Sequence, residues 1–260
     1  MIRLTYLLRA KTGMSAEDFQ AYWRETHGPL VESHAKGLDM LRYVQVHTLH
    51  DLTTARPGNA RGPMEEPFDG VAEVWWRDRP SLVAALATDE GKRATAEILE
   101  DERNFVDHAA SPLWLNYEYP QVNPSPEVIA APDSQVTKTY YPLRHHDGQS
   151  LADAQLYWRT QHGPLIRSLA GGRLVRYMQV HRFEDELEAE LREARGTEAE
   201  PYTGHAEVWS DASIDAPPPA PPPPNPSGDR GVVIEDEAIF IDFSRSANFL
   251  AKEWEFFDRR

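Results

Sequence analysis

The 260-residue sequence contains no cysteine. Disulfide staples, thiolate nucleophiles, iron–sulfur clusters and cysteine-bound zinc are therefore excluded. Basic charge is also scarce: 27 lysines and arginines stand against 42 acidic residues, a formal charge of −15. A chain this negative repels phosphate backbones and anionic lipid, so neither a nucleic-acid nor a membrane partner is expected. No apolar run approaches the roughly 20 residues that a bilayer span needs. Met1 to Arg9 already read as a strand, so no signal or transit peptide is expected, and the expected compartment is the cytoplasm. Phosphate-binding glycine loops and a G-x-S-x-G nucleophile elbow are missing. The ten histidines show neither H-x-H nor H-E-x-x-H spacing, so no metal site is expected. Hydrophobic residues still make up 40% of the chain, an ordinary globular share, and the length suits one large domain or two small ones.

The chain is two copies of one unit. Tyr22–Leu30 reads Y-W-R-E-T-H-G-P-L and Tyr157–Leu165 reads Y-W-R-T-Q-H-G-P-L, seven identities in nine at an offset of 135. Arg42–His47 matches Arg176–His181, and Gly70–Trp75 matches Gly204–Trp209. Glu100-Asp101-Glu102 with Phe105 matches Glu235-Asp236-Glu237 with Phe240. Collinear blocks at a near-constant offset mark a tandem duplication. The first unit is expected over 1–120, a proline-rich linker over 121–133, and the second unit over 134–260.

Within a unit the patterns run strand, helix, strand, strand, helix, strand. Ser15 with Asp18 suits a helix N-cap, and Phe19, Tyr22 and Trp23 recur at helical spacing. His27-Gly28-Pro29 reads as the end of that helix, with the glycine as a left-handed cap. Alternation puts Tyr43, Gln45 and His47 on one strand face and Val44 and Val46 on the other. The third strand separates Glu73 and Trp75 from Ala72, Val74 and Trp76. The second unit adds an acidic insert, Glu184–Arg192, expected to be a solvated surface helix. It also carries a proline run, Pro217–Pro224, expected to form a rigid loop in place of part of a helix.

A βαββαβ order is the ferredoxin-like plan, an α+β fold with helices on one sheet face. The Val44/Val46 and Ala72/Val74/Trp76 faces are expected to meet the helices. The Tyr43/Gln45 and Glu73/Trp75 faces are expected to line a hollow between two facing sheets. The paired Y-W-R-x-x-H-G-P-L motif, with G-x-A-E-V-W on the third strand, resembles the EthD family of the dimeric α+β barrel superfamily. The resemblance spans both halves and implies an intramolecular pseudo-dimer, complete as a monomer or paired as a homodimer. It also implies small-molecule work: elimination, decarboxylation or isomerisation of a hydrophobic oxygenated compound, aromatic or polyketide-like, without a cofactor. Cofactor-free monooxygenases, haem-holding barrels and a carrier without turnover are the alternatives.

The chemistry-bearing candidates follow. His27 and His162 sit where a helix dipole favours imidazolium, and suit either proton transfer near neutrality or simple capping. Glu73 and Glu207 lie mid-strand among apolar residues, where a carboxylate must pair, protonate or touch a ligand. Arg42, Arg176, Arg24 and Arg159 are their expected ion-pair partners. Tyr6, Tyr43, Gln45 and Trp75, with Tyr141, Tyr177, Gln179 and Trp209, are the expected substrate-binding set.

Overall fold

A computed structural model describes residues 1–51, 60–170, 174–211 and 228–260. The proline run Pro217–Pro224 lies outside them. The first half comprises β1 (Ile2–Leu8), α1 (Ala16–Tyr22), α2 (Gly28–His34), β2 (Arg42–Thr48), β3 (Gly70–Trp76), α3 (Arg79–Ala87), α4 (Asp89–Glu102) and β4 (Leu113–Val122). The second comprises β5 (Val136–Leu143), α5 (Leu151–Tyr157), α6 (Gly163–Ala170), β6 (Arg176–Arg182), α7 (Glu186–Arg195), β7 (Gly204–Asp211), α8 (Gly228–Glu237) and β8 (Phe249–Asp258). The eight strands close into one antiparallel barrel in the order β1-β3-β2-β8-β5-β7-β6-β4. Each half supplies four neighbouring strands. The seams are β2 on β8 and β4 on β6. Closure leaves no unpaired strand edge, which a free four-stranded sheet would expose.

Register decides which side chains enter the barrel. Val44 stands opposite Glu73 and Thr5 opposite the same residue, so Thr5, Val44 and Glu73 share the inner face. With them go Leu7, Val46, Val71 and Trp75, packed against Trp114, Tyr140, Phe249 and Ala251. Phe68 and Tyr202 plug one end, each under an arginine, Arg9 and Arg144, with 3.9 Å from guanidinium carbon to ring centroid. These side chains fill part of the expected hollow, and a chamber of about 240 Å³ remains beside Glu73 and Glu207.

The Tyr43/Gln45/His47 face turns outward to the helices, contrary to expectation, and Val44 and Val46 turn inward. Alternation defines two faces per strand but not which one is inside, and a one-residue slip exchanges them. A backbone feature of the helix explains why the polar face is buried there. The Y-W-R-x-x-H-G-P-L helix does not stop at Gly28. It passes through a π-turn, Trp23–His27, and continues as α2, with Gly28 in the right-handed region at φ −56°. Pro29 has no N–H to bond the fourth residue before it, so the chain takes up an extra residue instead. The Gly28 N–H then reaches the Trp23 carbonyl. Gln45 Nε2 donates to that same carbonyl at 2.8 Å, and Gln179 Nε2 serves Trp158 likewise at 2.9 Å. A Cβ on Gly28 would strike the Phe256 ring at 2.0 Å, which accounts for glycine in the motif. The second helical stretch is also divided, by extended Thr88, whose hydroxyl caps α4 at Gly91.

His47 and His181 pack in this layer, stacked on Trp23 and Trp158 with centroids 4.6 and 4.4 Å apart. Burial, and next the charge of Arg24 or Arg159, lowers each to about 3. The unfolded chain then binds more protons than the native one below the ordinary histidine pKa of about 6.5. Stability is lost as pH falls from there toward 3, by at most about 1.4 kcal/mol per pH unit for each histidine. Urea unfolding between pH 7 and pH 5 is expected to show this slope. The paired change His47→Gln with His181→Gln should reduce it, leaving the contribution of His205, which burial also lowers to about 3.

Candidate active site

Two equivalent pockets lie between the outer sheet face and the helices, one in each half. The π-turn builds their reactive corner. On a regular α-helix, residues five apart stand roughly 140° apart; the wide turn closes part of that gap and lets Tyr22 and His27 reach one carboxylate on α4. The Tyr22 hydroxyl donates to Asp101 Oδ1 at 2.7 Å and His27 Nδ1–H to Oδ2 at 2.7 Å. In the second half Tyr157 and His162 hold Asp236 at 2.8 and 2.7 Å. The hydrogen bond from His27, with others, holds Asp101 below the usual carboxylate range. Each imidazole is thereby fixed as an Nδ1–H tautomer or an imidazolium, with Nε2 as the ring nitrogen that the carboxylate does not engage.

The His27 pocket encloses about 80 Å³ and is mostly apolar, with Leu4, Val31, Met40, Val74 and Leu82 on its walls. Tyr6, Tyr43, Glu102 and Arg195 are its other polar groups, beside Thr95 and His27. The His162 pocket encloses about 220 Å³, with Tyr141, Tyr177, Glu237 and Arg61 in the corresponding places. Both volumes lie below the roughly 300–1,000 Å³ of drug-sized ligand sites. Tyr6 and Tyr141 are buried, and no correctly aligned hydrogen bond reaches either hydroxyl. Burial, followed by the charge of Glu102 or Glu237, raises both phenols far above their usual value.

The expected site residues therefore separate into three groups. His27, Tyr6 and Tyr43 meet in one pocket, and His162, Tyr141 and Tyr177 in the other. Gln45 and Gln179 brace the π-turns from the sheet. Glu73, Glu207, Trp75 and Trp209 are elsewhere, on the inner face of the barrel, in a chamber of about 240 Å³. There the partners of the glutamates are Arg3 and Lys138, and not Arg42, Arg176, Arg24 or Arg159 as expected. Arg3 bonds Glu73 and Glu207, and also Glu118 at 3.1 Å. Lys138 lies 3.1 Å from Glu73, 3.1 Å from Glu207 and 3.0 Å from Glu253. Trp75 Nε1 donates to Glu118 at 3.0 Å and Trp209 Nε1 to Glu253 at 2.7 Å. Glu73, His205 and Glu207 could together hold a metal ion. The Arg3 guanidinium already occupies their centre, bonded to both carboxylates and 3.1 Å from His205 Nε2. Burial raises Glu73, whereas for Glu207 the burial penalty is outweighed by Arg3 and Lys138, which hold it low.

Not among the candidates were Asp101 and Asp236, which hold the histidines together with Tyr22 and Tyr157, or Arg61 and Arg195, which stand against Glu237 and Glu102. The first pair stands inside a repeated block already noted. The second had a signal too: Ala60-Arg61-Gly62 and Glu66-Pro67-Phe68-x-Gly70 recur as Ala194-Arg195-Gly196 and Glu200-Pro201-Tyr202-x-Gly204, at an offset of 134. The insert Glu184–Arg192, expected to be merely solvated, buries Leu187 and Glu188, and its helix runs on three residues to Arg195.

The domain model for EthD matches residues 11–109 and 146–244, one copy in each half. The chain belongs to the EthD family. Both matched segments contain the histidine motif and the acidic triplet of one EthD unit. A comparison with curated proteins finds no match. Among solved structures, an anthrone oxidase-like protein is 11% identical, with a TM-score of 0.51 over 100% of this chain and 94% of its own. At that identity it shows a shared fold alone. An EthD-family protein from Bacillus halodurans is 23% identical, with a TM-score of 0.32 over 46% of this chain and 99% of its own. A dye-decolorizing peroxidase from Bacteroides thetaiotaomicron is 8% identical, with a TM-score of 0.49 over 96% of this chain and 92% of its own. Among the described residues, no helix is long and apolar enough to cross a membrane.

The opposite directions in which Glu73 and Glu207 are pushed give an asymmetric expectation. Glu73→Gln puts a neutral amide where burial already favours the neutral form of the carboxyl, and should cost under about 1 kcal/mol. Glu207→Gln removes the ionised partner of Arg3 and Lys138 and should cost about 3 kcal/mol or more. Urea denaturation of the two variants measures the difference.

Proposed function

We propose that this EthD protein is an enzyme acting on a hydrophobic, oxygenated small molecule, aromatic or polyketide-like, by acid–base chemistry in its helix-side pockets. The observation that carries the reading is the duplicated histidine–aspartate pair, each at 2.7 Å and each set in the wall of an apolar pocket. Asp101 and Asp236 orient the rings and stabilise the imidazolium, while Nε2 takes or returns the proton. A proton removed beside a carbonyl and returned elsewhere is an isomerisation; one delivered to a leaving hydroxyl is a dehydration; one added where carbon dioxide departs completes a decarboxylation. Dehydration and decarboxylation are lyase reactions and the third an isomerase reaction, and all need the same group. Tyr43 and Tyr177 are phenols available to ligand oxygens on the sheet side. The His162 pocket, at about 220 Å³, is the roomier of the two. The glutamates of the barrel have no part in this chemistry, since Arg3 and Lys138 occupy them. The seams that join the halves lie within one chain, so a monomer has both pockets.

Anthrone, an aromatic ketone with acidic methylene hydrogens, is a suitable probe. The native protein should accelerate exchange of those hydrogens with deuterium oxide, followed by NMR. His27→Asn combined with His162→Asn should slow the catalysed exchange about 100-fold, the lower end of general acid–base contributions. Binding of anthrone without accelerated exchange would favour a carrier, and an unchanged rate in the double variant would defeat the histidine assignment.

A further inference from the structure

The connection between the second and third strands of each half leaves its own unit and enters the pocket of the other. Arg195, from the second half, grips Glu102 at the end of α4 in the first: Nε to Oε2 is 2.9 Å and Nη2 to Oε1 is 2.8 Å. Arg61, from the first half, grips Glu237 at the end of α8 in the second, at 2.5 and 2.8 Å. The glycine after each arginine is left-handed, at φ +84° for Gly62 and +65° for Gly196, a turn that favours glycine. Each guanidinium stands beside a tyrosine of the recipient unit, 5.3 Å from the Tyr6 ring and 5.2 Å from the Tyr141 ring. Arg195 directs three of its five N–H groups to Glu102 and the Leu191 carbonyl, and its interaction with the Tyr6 oxygen still leaves the hydroxyl hydrogen to be donated. Tyr6 is 3% exposed and Tyr141 5%, and both hydroxyls face their pockets without an aligned partner. A buried hydroxyl without a partner is costly unless a ligand supplies one.

We propose that Tyr6 with Arg195, and Tyr141 with Arg61, form two oxygen subsites, each completed in trans, that bind the acidic hydroxyl of a phenol or enol. The proposal rests on the acid–base reading of the same pockets and names the group the ligand presents there. The tyrosine donates its hydrogen bond to the ligand oxygen, and the guanidinium beside it offers a further N–H donor. A carboxylate suits the subsite less well, because Glu102 or Glu237 already places a full negative charge on the arginine.

The test is binding to the full chain by calorimetry, with three probes of similar size: para-nitrophenol, nitrobenzene and para-nitrobenzoate. The phenol is expected to bind about tenfold more tightly than either of the others, the ratio that one charge-assisted hydrogen bond supports. Tyr6→Phe with Tyr141→Phe should reduce that preference to within about threefold while leaving nitrobenzene affinity in place. Removing an arginine alone strands a buried glutamate, so the charge-balanced set Arg195→Gln, Glu102→Gln, Arg61→Gln and Glu237→Gln is the second variant, with the same expected loss of preference. Equal binding of the three probes to the native protein, or a preference that survives in the tyrosine variant, overturns the subsites. The measurement needs no turnover. A phenol preference in a protein that does not exchange anthrone hydrogens leaves the subsites standing and removes the enzymatic reading; exchange without a preference does the reverse.

Discussion

The architecture depends on a buried set of charges that crosses between the halves. Arg3 belongs to the first unit and bonds Glu207 of the second, while Lys138 belongs to the second and lies against Glu73 of the first. Arg3 and Lys138 are equivalent in the repeat, as are Glu73 and Glu207, and Glu118 and Glu253. Each unit alone would expose an inner sheet face bearing a charge it cannot fully pair. Buried ions are expensive to desolvate, and a broken pair leaves an uncompensated charge. The network therefore disfavours any arrangement in which the two faces are apart or out of register. Within it burial raises Glu73, while Arg3 and Lys138 hold Glu207 low.

The charged interior has a consequence for where ligands can bind. With Trp114 and aliphatic side chains packing part of the barrel and paired ions lining the chamber that remains, apolar ligand space shifts to the layer between sheet and helices. There the π-turn does two jobs. It gathers Tyr22 and His27 onto Asp101, and it leaves a carbonyl at Trp23 that Gln45 must satisfy from the sheet. A strand face that reads as polar is thus consumed by bracing the helix, and only its tyrosine remains to line a pocket. Duplication then adds an exchange: each unit's connection before the third strand delivers an arginine to its neighbour, so neither pocket is made by one unit alone.

Much of this was legible in residue order. Repeated blocks identified two units, and the motif pointed to His27 and His162. The acidic triplets were visible as repeats, but their role was not, because Asp101 and the histidine it holds lie 74 residues apart in the chain. Arg61 and Arg195 were equally readable from the repeated A-R-G block; their destination was not, since nothing local indicates that a connection crosses to the other half.

The sequence by itself determined the duplication, the strand and helix order, and the residue types that carry proton chemistry, because those are properties of local pattern and repetition. Only the tertiary structure decided which face of each strand is inside. Alternation has two solutions of equal local quality, and the choice is made by partners far away: Arg3 and Lys138 draw Glu73 and Glu207 inward, and the π-turn carbonyls draw Gln45 and Gln179 outward. That choice separated the glutamates from the histidines and put the two candidate pockets on the helix side of the barrel.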